Sequence, residues 1–322
     1  MQAIRIETTG GPEVLTIGDH DVAEPGPDEV LVDVAAAGVN FIDTYQRSGV
    51  YPMELPTGLG LEGAGTIAAV GRDVTDREVG DRVAWTDALG SYAQQHVVRA
   101  ARTVRVPEGL ELDTAAALML QGCTAHYLAY STYRLGDDDT ALVYAPAGGV
   151  GRLLIQLAVK RGARVIAVTS SDTKAAIARE LGADGVVNYR TQDIAATVRE
   201  LTDGSGVDVV YDSVGRATFE ASLDSLQPRG MMVLYGGASG QVPPLDPQVL
   251  NRKGSLFLTR PNLSSYIASA DELGWRAGAI LGQVAAGALQ SHVHASYPLA
   301  DATTAHQELE SGTTTGKLIL QP

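Results

Sequence analysis

Six short apolar runs, most of them followed by an amphipathic run, fill the stretch from about residue 140 to residue 260. Apolar strands that are buried on both faces and joined by helices are typical of a parallel sheet in a doubly wound α/β domain. Right-handed crossovers place the loops after such strands along one edge, which is where ligands bind. The alternation therefore predicts an α/β fold of the Rossmann type. The runs are residues 141–145, 164–170, 185–188, 207–214, 230–237 and 255–259.

A glycine-rich turn, APAGGVG at residues 145–151, joins the first apolar run to the helical run after it. Gly148 and Gly149 would let the turn take positive φ and let the backbone approach a pyrophosphate, and Gly151 would let the helix pack closely on the sheet. The helix N-terminus adds unpaired N–H groups and a partial positive charge. Taken alone, the pattern also fits a plain strand-to-helix turn, but its place in the alternation favours a dinucleotide site.

The first glycine of the usual G-x-G-x-x-G fingerprint is missing, so we interpret the turn as its A-x-x-G-x-x-G form. Pro146 has no backbone donor and a fixed φ. We therefore expect the phosphate contacts to come from Gly149, Val150 and the start of the helix.

The end of the second apolar run indicates which dinucleotide binds. Ser170, Ser171 and Lys174 stand where NAD-binding folds usually place an acidic residue on the ribose 2′-hydroxyl. Hydroxyl groups with a lysine suit a 2′-phosphate, so the pattern favours NADPH. Asp172 lies near enough to compete for the ribose, and we interpret it as the N-cap of the next helix. Tyr189, after the third run, is expected to cover the adenosine or to be an aromatic residue at the rim.

The first third of the chain reads as short strands separated by Gly- and Pro-rich turns, which predicts a small, mostly β domain. After about residue 110 the pattern becomes helical, with Asp113 as the expected N-cap of a helix over 112–130. The last sixty residues hold one helix and a strand that could return to the first domain. The predicted strands of the first third are residues 29–40, 63–71 and 81–85.

Length and composition limit the class of protein. A chain of 322 residues suggests two domains, and a net charge of −14 argues against a nucleic-acid binder. The single cysteine, Cys123, excludes an internal disulfide and a Cys-rich zinc site. We see neither a signal peptide nor an apolar run of 18 residues, so we expect a cytoplasmic protein without a membrane partner.

Several segments carry a resemblance to a known family. The chain resembles, from end to end, the zinc-free quinone oxidoreductases of the medium-chain dehydrogenase/reductase superfamily, which include zeta-crystallin, and among them the bacterial NADPH:quinone reductases. NFIDTYQRSG, within residues 40–52, is the most specific of these segments. The others are residues 58–71, 145–151 with Gln156, 211–220 and 253–263.

The resemblance implies a GroES-like catalytic domain at 1–122 and 264–322 and a Rossmann NADPH-binding domain at 123–263. It also implies a homodimer that pairs through the strand at 255–259. By resemblance, further NADPH contacts come from Thr124, which would open a linker helix, and from Ser213, Gly236, Phe257 and Thr259.

The polar segment after residue 39 is the predicted acceptor site. Asn40 and Tyr45 can donate hydrogen bonds to a carbonyl, and Tyr51 could line the pocket. For Asn40 and Tyr45 the resemblance implies a place in the lining of the cleft. Asp43 and Arg47 fit equally well a structural pair within the loop.

A zinc site is not expected. Zinc-dependent relatives have a histidine before the glutamate, whereas this chain has Leu61 before Glu62, and catalytic zinc needs three protein ligands. His292 and His294 are the only histidines close together in sequence, and we expect them to be solvated. Without a Lewis acid, direct hydride transfer from nicotinamide C4 to a quinone is favoured. An enone or alkenal double-bond reductase stays open, and a crystallin-like binding or structural protein is a remote alternative.

Overall fold

The computed structural model describes residues 1–322, and the chain divides into two compact units. One unit combines Met1–Cys123 with Tyr266–Pro322, and the other is Thr124–Ser265. The first predicted border differs from the observed one by one residue and the second by two residues.

The chain forms sixteen β-strands and ten α-helices. The strands are β1 (Gln2–Ile6), β2 (Thr16–Asp19), β3 (Glu29–Val39), β4 (Thr57–Gly58), β5 (Glu62–Val70), β6 (Arg82–Thr86), β7 (Gln95–Arg99), β8 (Thr103–Arg105), β9 (Thr140–Tyr144), β10 (Arg164–Thr169), β11 (Gly185–Asn188), β12 (Val207–Asp212), β13 (Leu226–Leu234), β14 (Phe257–Thr259), β15 (Val293–Pro298) and β16 (Lys317–Gln321). The helices are α1 (Phe41–Arg47), α2 (Leu112–Tyr127), α3 (Gly149–Lys160), α4 (Asp172–Glu180), α5 (Ile194–Leu201), α6 (Phe219–Ser225), α7 (Gln248–Arg252), α8 (Leu263–Tyr266), α9 (Ala270–Ala285) and α10 (Ala302–Ser311). Short 3₁₀ turns lie at Pro12–Val14, Ala100–Arg102 and Leu299–Asp301, and a π-helical turn lies at Leu128–Thr132.

The unit at 124–265 is built on a parallel six-stranded sheet with the strand order β11-β10-β9-β12-β13-β14. This order is that of the doubly wound dinucleotide fold, and it reverses between β9 and β12. Helices α3, α4, α5 and α6 connect the strands and cover a core of buried aliphatic residues. The predicted parallel sheet is confirmed, and the loops after β9 and β12 lie at its switch point.

The other unit is mostly β, as predicted. Its larger sheet has seven strands, in the order β15-β16-β3-β5-β6-β8 with β7 also paired to β3. The C-terminal strand β16 lies antiparallel beside β3, so the end of the chain does complete the first unit. A smaller sheet has the order β2-β1-β4.

Three expectations about helix ends are wrong. Asp113 is the second residue of α2 and not its N-cap, and Thr124 lies inside α2 instead of opening a helix. Ser171, not Asp172, is the N-cap of α4: its backbone is extended and its hydroxyl accepts the N–H of Lys174 at 3.3 Å. Asp172 is already the first residue of α4.

None of the ten helices combines the length and the apolar character that a membrane span requires.

Candidate active site

The turn at 145–151 ends in a helix N-terminus with three unpaired donors. Gly148 is the N-cap of α3, and the N–H of Arg152 is the first to bond back, to the Gly148 carbonyl at 2.9 Å. The N–H groups of Gly149, Val150 and Gly151 therefore have no acceptor within the helix. A helix start of this kind binds phosphate oxygens.

The shape of this turn differs in one respect from the expected one. The residue with positive φ is Ala145, at 49°, whereas Gly148 is extended at −76° and Gly149 is helical. A Cβ on Gly151 would lie 2.2 Å from the Ala145 carbonyl oxygen, so only glycine allows the helix to pack so close to the end of β9. The chain reverses at Ala145 because the strand must turn there before the helix begins.

Two cations, Lys174 near the start of α4 and Arg190 after β11, lie near each other. Partial burial lowers the pKa of Lys174, and the neighbouring charge of Arg190 lowers it further. Tyr189 is half exposed, and its N–H donates to the Thr169 carbonyl at 3.0 Å, which ties the two strand ends together. Ser170, half-buried, follows β10 directly. Two cations next to hydroxyl groups form a site for a dianion.

Sequence reasoning missed Arg190. The signal was present, because Arg190 follows Tyr189 at the end of the third apolar run.

The loop after β12 is held by a buried carboxylate. Asp212 Oδ1 accepts the N–H groups of Val214 and Gly215 at 2.7 and 3.0 Å. Gly236, after β13, lies against this loop, since a Cβ there would be 2.4 Å from the Ser213 carbonyl oxygen. The structure thus brings together Ser213 and Gly236, two of the predicted cofactor contacts.

The other three predicted cofactor contacts lie on α2 and β14. Thr124 is buried within α2, and Thr259 ends the edge strand β14. Phe257, on the same strand, is 58% exposed. Their roles stay predictions.

Asn40, the N-cap of α1, is buried and held by protein groups. Its Oδ1 accepts a hydrogen bond from Lys317 Nζ at 2.6 Å. Its Nδ2 donates to Glu62 Oε1 at 2.7 Å and to the Gly38 carbonyl at 3.3 Å. The carboxamide is therefore occupied by the protein on both sides.

The pair between Asp43 and Arg47, which the sequence left open, does not form. Asp43 Oδ2 instead accepts the hydroxyl of Tyr92 at 2.8 Å and the N–H of Asn40 at 2.7 Å. Complete burial raises the pKa of Asp43 to about 7. Sequence proximity suggested a local pair, but the fold supplies Asp43 with a partner from the segment before β7.

Arg47 finds its partners on α10. It forms a bidentate contact with Glu310, the shorter distance being 2.8 Å, and its Nη1 lies 3.1 Å from His306 Nδ1. Burial, helped by the charge of Arg47, lowers the pKa of His306 to about 3. Helix α1 is thus anchored at both of its ends by residues distant in the chain.

Aromatic side chains cover the outer side of the segment at 40–51. The rings of Phe41 and Tyr45 are 6.4 Å apart, and those of Tyr45 and Tyr51 meet edge to face at 5.4 Å. Phe41 is exposed, as is Val50, which precedes Tyr51, and both tyrosines are half-buried. The surface suits a flat, apolar molecule with a polar edge.

Across residues 1–322, His, Cys, Asp and Glu side chains form no group of three that could hold a metal ion. Burial raises the pKa of Cys123 to about 12, so this thiol stays protonated. His294 is not simply solvated as expected, because its Nε2 lies 3.3 Å from Glu308 Oε1. The contact forms because β15 and α10 are neighbours in the fold.

Two family models match the chain. Residues 26–133 match the alcohol dehydrogenase GroES-like domain, and residues 149–269 match the zinc-binding dehydrogenase family. The matches fall on the mostly β unit and on the Rossmann-type unit.

Relatives align over essentially the whole chain. A quinone oxidoreductase of Pseudomonas aeruginosa is 46% identical, with 99% of each chain covered. A 2-haloacrylate reductase of a Burkholderia species is 41% identical, covering 100% of this chain and 99% of its own. Among solved structures, Escherichia coli quinone oxidoreductase complexed with NADPH superposes with a TM-score of 0.98 at 42% identity, with all of both chains covered.

Proposed function

Because the chain belongs to the quinone oxidoreductase family of the medium-chain dehydrogenase/reductase superfamily, we propose that it is an NADPH-dependent quinone oxidoreductase that works without zinc. The family resemblance read from the sequence is confirmed, and the chain is an oxidoreductase. NADPH bound here would supply a hydride from C4 of its nicotinamide, and a quinone that gains this hydride and a proton from solvent would become a hydroquinone.

The nearness of two cations, Lys174 near the start of α4 and Arg190 after β11, is the observation that carries the cofactor assignment. The charge of Arg190 adds to the effect of burial in lowering the pKa of Lys174, and an anion bound beside both cations would be attracted by each of them. NADPH carries such an anion, its 2′-phosphate, and NADH does not. Ser170 and Tyr189 are proposed to complete this subsite.

The turn at 145–151, called here the cofactor turn, fits the pyrophosphate. Gly149, Val150 and Gly151 present their N–H groups at the start of α3, and Gly148 precedes them as the N-cap. The proposed nicotinamide and ribose contacts are Thr124, Ser213, Gly236, Phe257 and Thr259.

The segment at 40–51, called here the acceptor segment, is proposed to bind the quinone. The rings of Tyr45 and Tyr51 offer apolar area for a flat acceptor. Their hydroxyls can donate to the oxygen that gains charge, which is how a site without a metal stabilises a developing oxyanion. The quinone therefore meets a polar edge and an aromatic surface in one short segment.

The donor set at the position of the catalytic metal in zinc-dependent relatives supports zinc independence. Leu61 cannot ligate a metal, and Glu62 is committed to an ion pair with Lys317. We expect the purified protein to contain less than one zinc per ten chains, roughly, and to keep its activity after dialysis against a chelator. Loss of activity that zinc restores would refute this part.

An enone or alkenal double-bond reductase is the second candidate. The full-length similarity to a 2-haloacrylate reductase favours it, because that substrate is a conjugated alkene. Steady-state rates of NADPH oxidation with a panel of quinones and a panel of 2-alkenals decide between the two. We expect a higher kcat/KM with quinones, and the reverse order would establish the alternative.

We also propose a homodimer that pairs through β14, the edge strand of the six-stranded sheet. Phe257 and Leu258 are exposed there, and an apolar edge strand invites pairing with a second chain. Light scattering should give the mass of a dimer for the wild type and of a monomer for Leu258→Lys. We also propose that residues 1–122 and 264–322 form the catalytic domain, that residues 123–263 form the NADPH-binding domain, and that the protein is cytoplasmic.

A further inference from the structure

An ion pair lies entirely inside the mostly β unit. Glu62 and Lys317 are 0% and 2% exposed, and Lys317 Nζ contacts Glu62 Oε1. A buried pair of this kind rarely gains stability over apolar residues of similar volume, because both charges lose their hydration. Such a pair is better explained by a role in fixing the position of neighbouring side chains.

The pair fixes the orientation of a third side chain, Asn40. An ammonium can only donate hydrogen bonds and a carboxylate can only accept them. With Lys317 on Oδ1 and Glu62 on Nδ2, the Asn40 carboxamide has one permitted orientation. These three residues, Asn40, Glu62 and Lys317, are called here the buried clamp.

The backbone is shaped to admit the buried clamp. A Cβ on Gly38 would lie 2.3 Å from Glu62 Oε1 and 2.7 Å from Lys317 Cε, so a larger residue would displace the ion pair. The other oxygen of Glu62 accepts the N–H of Leu120, in α2, at 2.5 Å. The clamp members lie at one end of three adjacent strands, β16, β3 and β5.

The buried clamp holds the beginning of the helix that carries the aromatic surface. Asn40 is the N-cap of α1, and its own N–H donates to Asp43 Oδ2 one turn later. Tyr45 lies on the same short helix, and its carbonyl accepts the N–H of Tyr51 at 3.0 Å. A shift of the Asn40 backbone would therefore move the start of α1, on which Tyr45 lies and to which Tyr51 is bonded.

We propose that Glu62 and Lys317 are positioning residues for the acceptor: they hold Asn40, and through it α1, so that Tyr45 and Tyr51 meet the quinone in a fixed geometry. Asn40 is then itself a positioning residue, since both sides of its carboxamide are used within the protein. This inference rests on the proposed function.

The test uses the double variant Lys317→Met/Glu62→Gln. It removes both charges and nearly keeps both side-chain lengths, whereas Lys317→Met alone would leave Glu62 buried without its cation. We expect the thermal midpoint and the NADPH dissociation constant to stay near wild type while kcat/KM for a quinone falls roughly ten- to hundred-fold. An unchanged kcat/KM would overturn the proposal.

The matched control is Arg164→Met/Asp184→Asn, which removes an exposed ion pair of 2.6 Å and should leave kcat/KM as it is. A mutant cycle with Asn40→Ala then tests the route of the effect. If the ion pair acts through Asn40, the triple variant loses no more kcat/KM than the worse of the two parents. Effects that multiply would show independent roles and contradict the proposal.

A readout without turnover separates this proposal from the proposed function. The Nδ2 hydrogens of Asn40, followed by ¹⁵N NMR, should exchange with solvent at least about ten-fold faster in the double variant, because a glutamine at position 62 can donate as well as accept and no longer holds the carboxamide in one orientation. A wild type that reduces no quinone would refute the proposed function alone. Unchanged exchange in the double variant would refute the buried clamp.

Discussion

The cofactor turn and the acceptor segment differ in what gives each its shape. The turn is shaped by residues adjacent in sequence, and its main devices are the absence of a Cβ at Gly151 and a helix start. The acceptor segment is shaped by partners far away in sequence, such as Tyr92, Glu310 and Lys317. A backbone device is visible in a short motif, whereas a side-chain network becomes visible only after the fold brings its members together.

The largest effect is expected from a substitution that disrupts the cofactor turn and so weakens NADPH binding. Gly151→Ala places a Cβ 2.2 Å from the Ala145 carbonyl, so α3 must move away from β9. Because the donors at the helix start move with it, we expect NADPH affinity to fall about 100-fold or more. Fluorescence titration with NADPH measures this.

Gly274→Ala is the matched control for this change. Gly274 is also helical, but nothing lies within 4 Å of its added Cβ. There we expect wild-type affinity and a gain of about 0.5–1 kcal/mol in the free energy of unfolding. Equal NADPH affinity in both variants would show that the turn does not depend on close packing.

The second effect belongs to the acceptor segment and follows from titration. Asp43 has its pKa raised to about 7 by burial, so between the value of an unfolded aspartate and pH 7 the native state holds a proton that the unfolded state releases. The contribution of Asp43 to the free energy of unfolding therefore falls by about 1.4 kcal/mol for each pH unit through that range. In Asp43→Asn this fall is absent, because an asparagine does not titrate.

Urea unfolding at pH 5 and pH 7 measures the difference. Between pH 5 and pH 7, we expect the free energy of unfolding of the wild type to fall by about 2 kcal/mol relative to that of Asp43→Asn. His96 and His306, with pKa values lowered to about 4 and 3 by burial, favour stability as pH rises, but they are common to both proteins and cancel. The exposed Asp73→Asn is the control, and a pH dependence equal to wild type in Asp43→Asn would contradict the assignment.

The same contrast explains what the sequence could predict. The parallel sheet, the mostly β unit and the turn at 145–151 follow from periodicity and glycine spacing, which are local properties. The Asp43–Arg47 pair, which the sequence left open, does not form, because proximity in sequence does not tell which of several partners the fold supplies. Lys317 escaped notice for the same reason, since 277 residues separate it from Asn40.

The third effect concerns the selectivity of the cofactor site for NADPH over NADH. Lys174→Ala should weaken NADPH roughly ten-fold and leave NADH nearly unchanged, because the lysine meets only the 2′-phosphate. The exposed Lys160→Ala, at the end of α3, is the matched control and should weaken neither. Equal weakening of both dinucleotides by Lys174→Ala would contradict the 2′-phosphate assignment.

The smallest effect separates the two regions by removing one hydroxyl from each. Tyr45→Phe keeps the ring contacts at 6.4 and 5.4 Å but removes the donor, so kcat/KM for a quinone should fall about three-fold while the NADPH dissociation constant stays unchanged. Tyr189→Phe should raise the NADPH dissociation constant about three-fold and leave kcat/KM for a quinone at saturating NADPH unchanged. The reason is that Tyr189 follows β11 and stands beside Arg190 in the sequence. Should Tyr45→Phe weaken NADPH as much as it slows quinone reduction, the two regions would not be separate in function, and Tyr45 would belong to the cofactor site.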